Sequence, residues 1–239
     1  MRSLTRRSFV TVLTVAGALG LTGGVLAQGP KPAPAPAPAP KPGPATTPAE
    51  RIADRVQAFY DQTKTFKAKF KQVYIAKAYN KTIESTGSVI FQKPGRMSWR
   101  YTNNGNRVVS DGKLIKVYEK ENKQMFEQPL EKSQYPAALS FLVGQGNLRT
   151  SFKLSLLDPK TANFEGGFVL VGEPREGTPA YQKMVVYVDG ATYQVRRVLL
   201  LDAQGNKNRF DFDVPQVNVP PPVGEFVFTP PAGTQVVRP

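Results

Sequence analysis

Apolar and polar residues alternate with a period of two along most of the chain after residue 65. Phe66, Ala68 and Phe70 are separated by lysines, and Phe210 and Phe212 are separated by an aspartate. This alternation is typical of strands that have one apolar face and one wet face. The pattern predicts an antiparallel meander of short strands at 66–74, 88–92, 97–101, 107–110, 114–119, 124–128, 151–157, 168–171, 183–189, 195–201, 209–214 and 225–229.

Turn-forming residues separate several of these strands. Asp111-Gly112 and Asp189-Gly190 have the chemistry of tight hairpin turns, as do residues 204–206, which read Gln-Gly-Asn. Because both aspartates stand where a turn needs them, we expect a structural and not a catalytic role for their carboxylates.

Two short segments have helical spacing instead. The first is predicted at 52–60, where Thr47 can cap the helix, Pro48 can take its first position and Glu50 completes a capping box. The second is the apolar run 136–143, which starts with proline and is followed by glycine.

These helices are too short to cover the apolar side of so many strands. Either the sheet closes on itself as a sandwich or barrel with a filled core, or part of the apolar face remains for a ligand. Periodicity alone leaves both alternatives open.

The first 48 residues have the composition of a leader and not of a folded domain. Arginines, among them Arg6 and Arg7, precede an apolar run and a small-residue cleavage pattern, so 1–27 is predicted to be a signal peptide that is removed on export to the periplasm. The arginine pair favours the twin-arginine route, with general secretion as the alternative. A Pro/Ala-rich linker follows at 28–48, and 49–239 remains as one domain.

The composition excludes several kinds of active site. The chain has no cysteine and no histidine, which rules out disulfides, thiol nucleophiles and metal sites built from thiolates or imidazoles. No phosphate-binding glycine loop or helix-borne metal motif is present either. We therefore predict a non-enzymatic protein with no catalytic residues, no metal and no cofactor.

The net charge is strongly positive. The whole chain carries +14 and the signal segment contributes three arginines, which leaves +11 for the remainder. Such a balance favours anionic phospholipid head groups or an acidic protein partner, or is a dispersed solubilising charge. An export signal argues against nucleic acid as the partner.

Four motifs in order resemble the family of the periplasmic outer-membrane lipoprotein carrier protein, LolA. The segment 87–101 resembles the family's signature, and 66–72, 109–118 and 226–233 resemble an early strand, a hairpin and a closing motif. The resemblance covers about 49–237.

The resemblance implies a mostly β (α+β) fold, an unclosed antiparallel half-barrel whose short helices form a lid over a vacant, apolar concave face. It implies a monomeric carrier that accepts acylated lipoproteins from an inner-membrane ABC transporter, shields their acyl chains, and passes them to an outer-membrane receptor if one is present. The alternative is a regulatory or scaffold protein of similar fold that senses lipids or lipoproteins.

The resemblance also implies partner-binding residues. Lys93 stands where the family has a functional arginine before a proline. Lysine keeps the charge but lacks the guanidinium fork. Arg96 is therefore the second candidate for contact with a partner.

Ligand-binding candidates follow from the same comparison. Met97 stands where the family has a functional phenylalanine, and Trp99 is on the same face of the strand by alternation. Both are expected to line the cavity. The lid candidates are Phe59, Phe141 and Leu142.

Overall fold

The structure is a computed structural model and describes residues 46–133, 139, 141, 142, 144 and 146–238. About half of these residues belong to one 12-stranded sheet. The strands are β1 (Thr65–Ala76), β2 (Lys81–Gln92), β3 (Arg96–Tyr101), β4 (Arg107–Asp111), β5 (Leu114–Glu119), β6 (Gln124–Pro129), β7 (Phe152–Leu157), β8 (Gly167–Pro174), β9 (Lys183–Asp189), β10 (Val195–Leu201), β11 (Lys207–Val217) and β12 (Gln235–Val237). The α-helices are α1 (Pro48–Gln62) and α2 (Leu148–Ser151), and single 3-10 turns occur at Lys77–Tyr79 and Leu130–Lys132.

The strand order is β12-β6-β5-β4-β3-β2-β1-β11-β10-β9-β8-β7. Two meanders, β1 to β6 and β7 to β11, are joined in the middle of the sheet, where β1 pairs with β11. All pairs are antiparallel except that of β12 with β6, which is parallel. β12 and β7 form the two edges, so the sheet is not closed and the predicted open, mostly β architecture is confirmed.

The start of α1 confirms the predicted capping box. The amide of Glu50 donates to Thr47 Oγ1 over 3.2 Å, and the amide of Thr47 donates to Glu50 Oε2 over 2.7 Å. These two hydrogen bonds lower the pKa of Glu50 below its ordinary value. The helix begins four residues earlier than the apolar spacing predicts, because the cap lies ahead of the first apolar position.

The aspartate turns are also as predicted. Asp111 Oδ1 accepts hydrogen bonds from the amides of Lys113 and Leu114, at 2.8 and 2.9 Å. Gly112 adopts a φ of +100°, which favours glycine. Asp189 forms the equivalent bonds in its own turn, and the hydrogen bonds lower the pKa of both carboxyl groups.

Two strand predictions are wrong, and one strand was not predicted. β2 begins at Lys81 and not at residue 88, since its polar first half pairs with β1 over the full hairpin. Residues 225–229 are not a strand but an irregular segment, which lies on the face of the sheet opposite α1. The chain forms its last strand later, as β12.

The main core lies on one face of the sheet, beneath α1. A second, small cluster around Val169, Val185 and Tyr187 lies on the side of β8 and β9 away from this core. None of the helices among the described residues is long and apolar enough to cross a bilayer.

Candidate functional site

The apolar side of the sheet, called here the inner face, is centred on Trp99. The Trp99 ring lies with its centroid 5.0 Å from Phe70, 5.6 Å from Phe91 and 5.4 Å from Phe210. Met97 occupies the same side of β3, two residues before Trp99. Four aromatic rings from four neighbouring strands therefore form one continuous apolar surface.

A cover packs on the inner face. It consists of α1 and the described residues 139, 141, 142 and 144. Tyr60 of α1 is fully buried, with its ring 5.5 Å from that of Phe141, and its hydroxyl accepts a 3.0 Å hydrogen bond from the amide of Val195. Burial raises the pKa of Tyr60, so the hydroxyl stays neutral.

The structure places all three lid candidates in this cover. Phe59 is half-buried and its ring packs edge-on against Tyr60 at 5.1 Å. Phe141 and Leu142 are each 2% exposed and belong to the main core. The predicted helix around them, 136–143, lies largely outside the described residues.

The inner face is closed in this structure. Met97 is 1% exposed and Trp99 is not exposed at all. The expectation that the space beneath the lid is vacant is therefore wrong at Met97 and Trp99, whose surroundings are filled by the protein's own side chains. The reason is physical: each Å² of apolar surface left in water costs about 25 cal/mol, so without a ligand the cover packs directly on the sheet.

Lys93 holds the cover to the sheet. From the turn between β2 and β3, its ammonium donates to the backbone oxygen of Tyr60, near the C-terminus of α1, over 2.5 Å. Its aliphatic stem lies 2.9 to 3.1 Å from the position that a Cβ on Gly144 would occupy. Burial lowers the pKa of Lys93, and the charge of Asp61 partly opposes that effect. One side chain thus contacts the sheet, α1 and the second part of the cover.

Arg96 occupies a different environment. It is exposed at the start of β3, on the side of the strand opposite Met97. The structure therefore does not bring the two partner-binding candidates together: Lys93 contacts the cover, whereas Arg96 faces solvent.

A cavity of about 610 Å³ lies at the rim of the inner face, beside α2. Phe152 and Tyr181 belong both to its lining and to the main core, and their rings stack at 6.3 Å. The loop that closes its outer side is held by Arg175, whose Nε donates to the backbone oxygens of Arg149 and Phe152. Sequence reasoning missed this cavity, because its lining comes from three separate segments and no local pattern indicates it.

A buried carboxylate on the other side of the sheet was also missed. The Glu225 side chain is 5% exposed and accepts hydrogen bonds from Ser98 Oγ at 2.6 Å and from Arg100 Nη2 at 2.8 Å. Burial opposes its ionisation, but the bonds from Arg100 and Ser98 and the charges of Arg100 and Arg107 together lower its pKa. This network fixes the segment that had been predicted as a strand.

Replacement of this carboxylate is expected to change acid stability. The folded pKa of Glu225 is lowered, so its contribution is present above the unfolded value near 4.5 and is lost as the pH falls through the folded value. Glu225→Gln should lower the free energy of unfolding by about 1–3 kcal/mol at neutral pH and by less in acid. Urea unfolding of both proteins, from neutral pH to below 4.5, measures the difference in the free energy of unfolding.

The exposed Glu121 provides the matched control. Glu121→Gln should leave the pH dependence unchanged. If Glu225→Gln also retained the full acid dependence of the native chain, the network would have no part in acid stability.

Comparison with known proteins places this sequence in a family. The family model of the outer membrane lipoprotein carrier protein LolA matches residues 61–229. The outer-membrane lipoprotein carrier protein of Bordetella avium is 30% identical over 199 residues, which cover 80% of this chain and 91% of that protein. The carrier protein of Dechloromonas aromatica is 26% identical over 185 residues, which cover 77% and 86%.

Among solved structures, the chain is similar to an uncharacterized conserved protein from Thermus thermophilus, at 17% identity and a TM-score of 0.49, over 81% of this chain and 100% of that one. The match to the family model spans well over half of the sequence and includes the whole of β1 to β11. The chain belongs to the outer membrane lipoprotein carrier protein family, LolA.

Proposed function

We propose that this protein is a periplasmic carrier that binds the acyl chains of lipoproteins on the inner face and moves them from the inner to the outer membrane. One observation carries the proposal: among the described residues, the main apolar face of an open sheet is covered by helices and a short segment, and not by a second sheet. The names of the relatives in the family support the same function.

Acyl chains would take the place of the cover. Each CH₂ group removed from water is worth about 0.8 kcal/mol, so a lipid anchor can compensate for the contacts that the cover loses when it moves away. The closed packing also helps release, because the cover competes with the ligand for the same surface. Such exchange between two states requires no ATP on the carrier.

Lys93 has the position of a latch in this scheme. Its hydrogen bond to Tyr60 and its contact with Gly144 would be lost if the cover moved away from the sheet. A partner that offered a carboxylate to this ammonium would weaken both contacts and favour opening. Arg96, exposed on the adjacent strand, is available to the same partner.

The rim cavity is the proposed first position of an acyl chain. Its volume lies within the range of small-molecule pockets. Since Phe152 and Tyr181 also belong to the main core, a chain bound there would lie next to the inner face. Met97 and Trp99 would contact the chain inside, and Phe59, Phe141 and Leu142 would enclose it from the cover.

The remaining roles follow from this function. We propose an inner-membrane ABC transporter as the donor, an outer-membrane receptor as the acceptor where one is present, and a monomeric, non-enzymatic carrier between them. Export would use the segment 1–27, by the twin-arginine or the general route, and the linker 28–48 would extend the reach of the domain.

Extraction of lipoproteins from membranes tests the proposal. Protein purified in its exported form is incubated with inner membranes that contain labelled lipoproteins, and the soluble fraction is analysed by mass spectrometry. We expect a soluble complex with an acylated protein. Phe59→Gln should lower the yield at least about tenfold, because a large apolar contact is lost.

Val227→Gln is the matched control, since Val227 is 73% exposed and lies outside the cover. Failure of the unmodified protein to extract any acylated protein would refute the carrier function. Extraction of lipoproteins without their delivery to a second membrane would favour the alternative function, a regulatory or scaffold protein that senses lipids or lipoproteins.

A further inference from the structure

The hairpin that joins β1 and β2 ends in an exposed apolar turn. We call residues 77–83 the hairpin tip. Tyr79 is 84% exposed and Ile83 is 44% exposed. Neither side chain belongs to the core, and both lie within the seven residues of the hairpin tip.

Three lysines surround the tip. Lys77 and Lys81 flank the turn, and Lys207 begins β11, where it pairs with Ile75. The loop before β11 is fixed against the tip, since the amide of Lys77 donates to Asn206 Oδ1 over 2.9 Å. Within the ranges 46–133 and 146–238, none of these three ammonium groups forms an ion pair.

The nearest carboxylates are already engaged. Glu84 pairs with Lys71 at 2.9 Å. Asp202 accepts hydrogen bonds from the amide and the side-chain nitrogen of Asn206, each at 2.8 Å. Asp202 keeps its negative charge, since its partners are neutral amide groups, so the hairpin tip combines two exposed apolar side chains with three lysines against this one neighbouring carboxylate.

We infer that the hairpin tip docks the protein on a bilayer that contains anionic phospholipids. Tyrosine partitions to the boundary between head groups and acyl chains, isoleucine inserts just below it, and lysines contact the phosphates. The tip projects as a narrow turn, which suits insertion between head groups better than the flat, enclosed contact of a protein partner. This inference goes beyond the proposed function, because it requires neither a lipoprotein nor an open cover.

Docking of the hairpin tip on a bilayer would leave Lys93 accessible to a partner. Lys93 lies at the opposite end of β1, where its amide donates to the backbone oxygen of Lys64. At about 3.3 Å per residue, the 12 residues of β1 separate the two ends by roughly 35–40 Å. A carrier held by its tip therefore keeps Lys93 and Arg96 accessible to a partner.

Vesicle sedimentation tests the inference. The exported form of the protein is mixed with vesicles of phosphatidylcholine alone or of phosphatidylcholine with phosphatidylglycerol, without lipoprotein. We expect binding to the anionic vesicles. The triple change Lys77→Gln, Lys81→Gln and Lys207→Gln should weaken it at least about tenfold, and Tyr79→Ser alone should weaken it severalfold.

A second triple change removes the same charge elsewhere. Lys67, Lys113 and Lys160 are exposed and lie away from the tip, at the other end of the strands they adjoin. Their replacement by glutamine should preserve most of the binding. Equal losses in both triple variants would mean that diffuse charge binds the vesicles and would overturn the inference, as would no binding by the unmodified protein.

The two proposals fail separately. The vesicles contain no acylated protein, so an absence of binding refutes tip docking alone. Conversely, tip variants are expected to extract lipoproteins normally when these are presented in detergent micelles. A loss there would assign the tip to the acyl site and contradict this inference.

Discussion

A cross-link between α1 and α2 is expected to abolish uptake of acyl chains. Arg149 of α2 forms an ion pair with Asp54 of α1 at 3.1 Å, and α2 continues directly into edge strand β7. The pair is largely exposed, so its replacement by two cysteines should cost at most about 1 kcal/mol. A short bismaleimide with a reducible linker would then hold the helix on the sheet.

The expected result follows from the closed inner face. If acyl chains must displace α1, the linked protein extracts no lipoprotein, and reduction of the linker restores extraction. The chain has no native cysteine that could react instead.

Cysteines at Glu173 and Lys183 form the matched control. These residues form an ion pair at 3.4 Å that joins β8 to β9, so a linker between them does not attach α1 to the sheet. The same linker there should leave extraction unchanged. Full extraction by the protein linked at positions 54 and 149 would show that acyl chains bind without movement of α1, and would contradict the displacement scheme.

Replacement of Trp99 by alanine is expected to cause the largest loss of stability in the domain. The side chain is fully buried among aromatic rings of three other strands. Its removal leaves a cavity that rigid strands cannot close, so the free energy of unfolding should fall by about 3–5 kcal/mol. Urea unfolding with linear extrapolation measures this loss.

Leu114→Ala is the comparison, because Leu114 is 39% exposed and should lose less than about 1 kcal/mol. If Trp99→Ala lost no more free energy of unfolding than Leu114→Ala, the inner face would be loosely packed even when it is closed. In that case the cover would oppose acyl chains only weakly, and release would need another explanation.

Much of the fold could be predicted because its signals are local. Alternation located β3, β5 and β9 closely, and Thr47 and Glu50 fixed the start of α1 by their own hydrogen bonds. The first half of β2 was missed, since its face carries polar residues whose pairing with β1 is visible only in three dimensions.

The site was harder to predict than the fold, because its residues come together only in three dimensions. Residues 225–229 are rich in the aromatic and β-branched residues that strands favour, but the segment is fixed by the long-range bonds of Glu225 to Ser98 and Arg100. Likewise, nothing near Lys93 in the sequence shows that its ammonium reaches Tyr60, 33 residues away. Family resemblance predicted a partner-binding role for Lys93, but only the three-dimensional structure showed what it contacts.

The central ladder of the sheet ties folding to completion of the chain. The hydroxyl of Thr65 at the start of β1 donates to the backbone oxygen of Val219, a separation of 154 residues. Contacts this distant are slow to form, and until β11 is synthesised β1 keeps one free edge beside an uncovered row of phenylalanines. A nascent chain that has reached only β10 is therefore prone to self-association. It avoids this if it remains unstructured, or bound by a chaperone, until translation has passed residue 217.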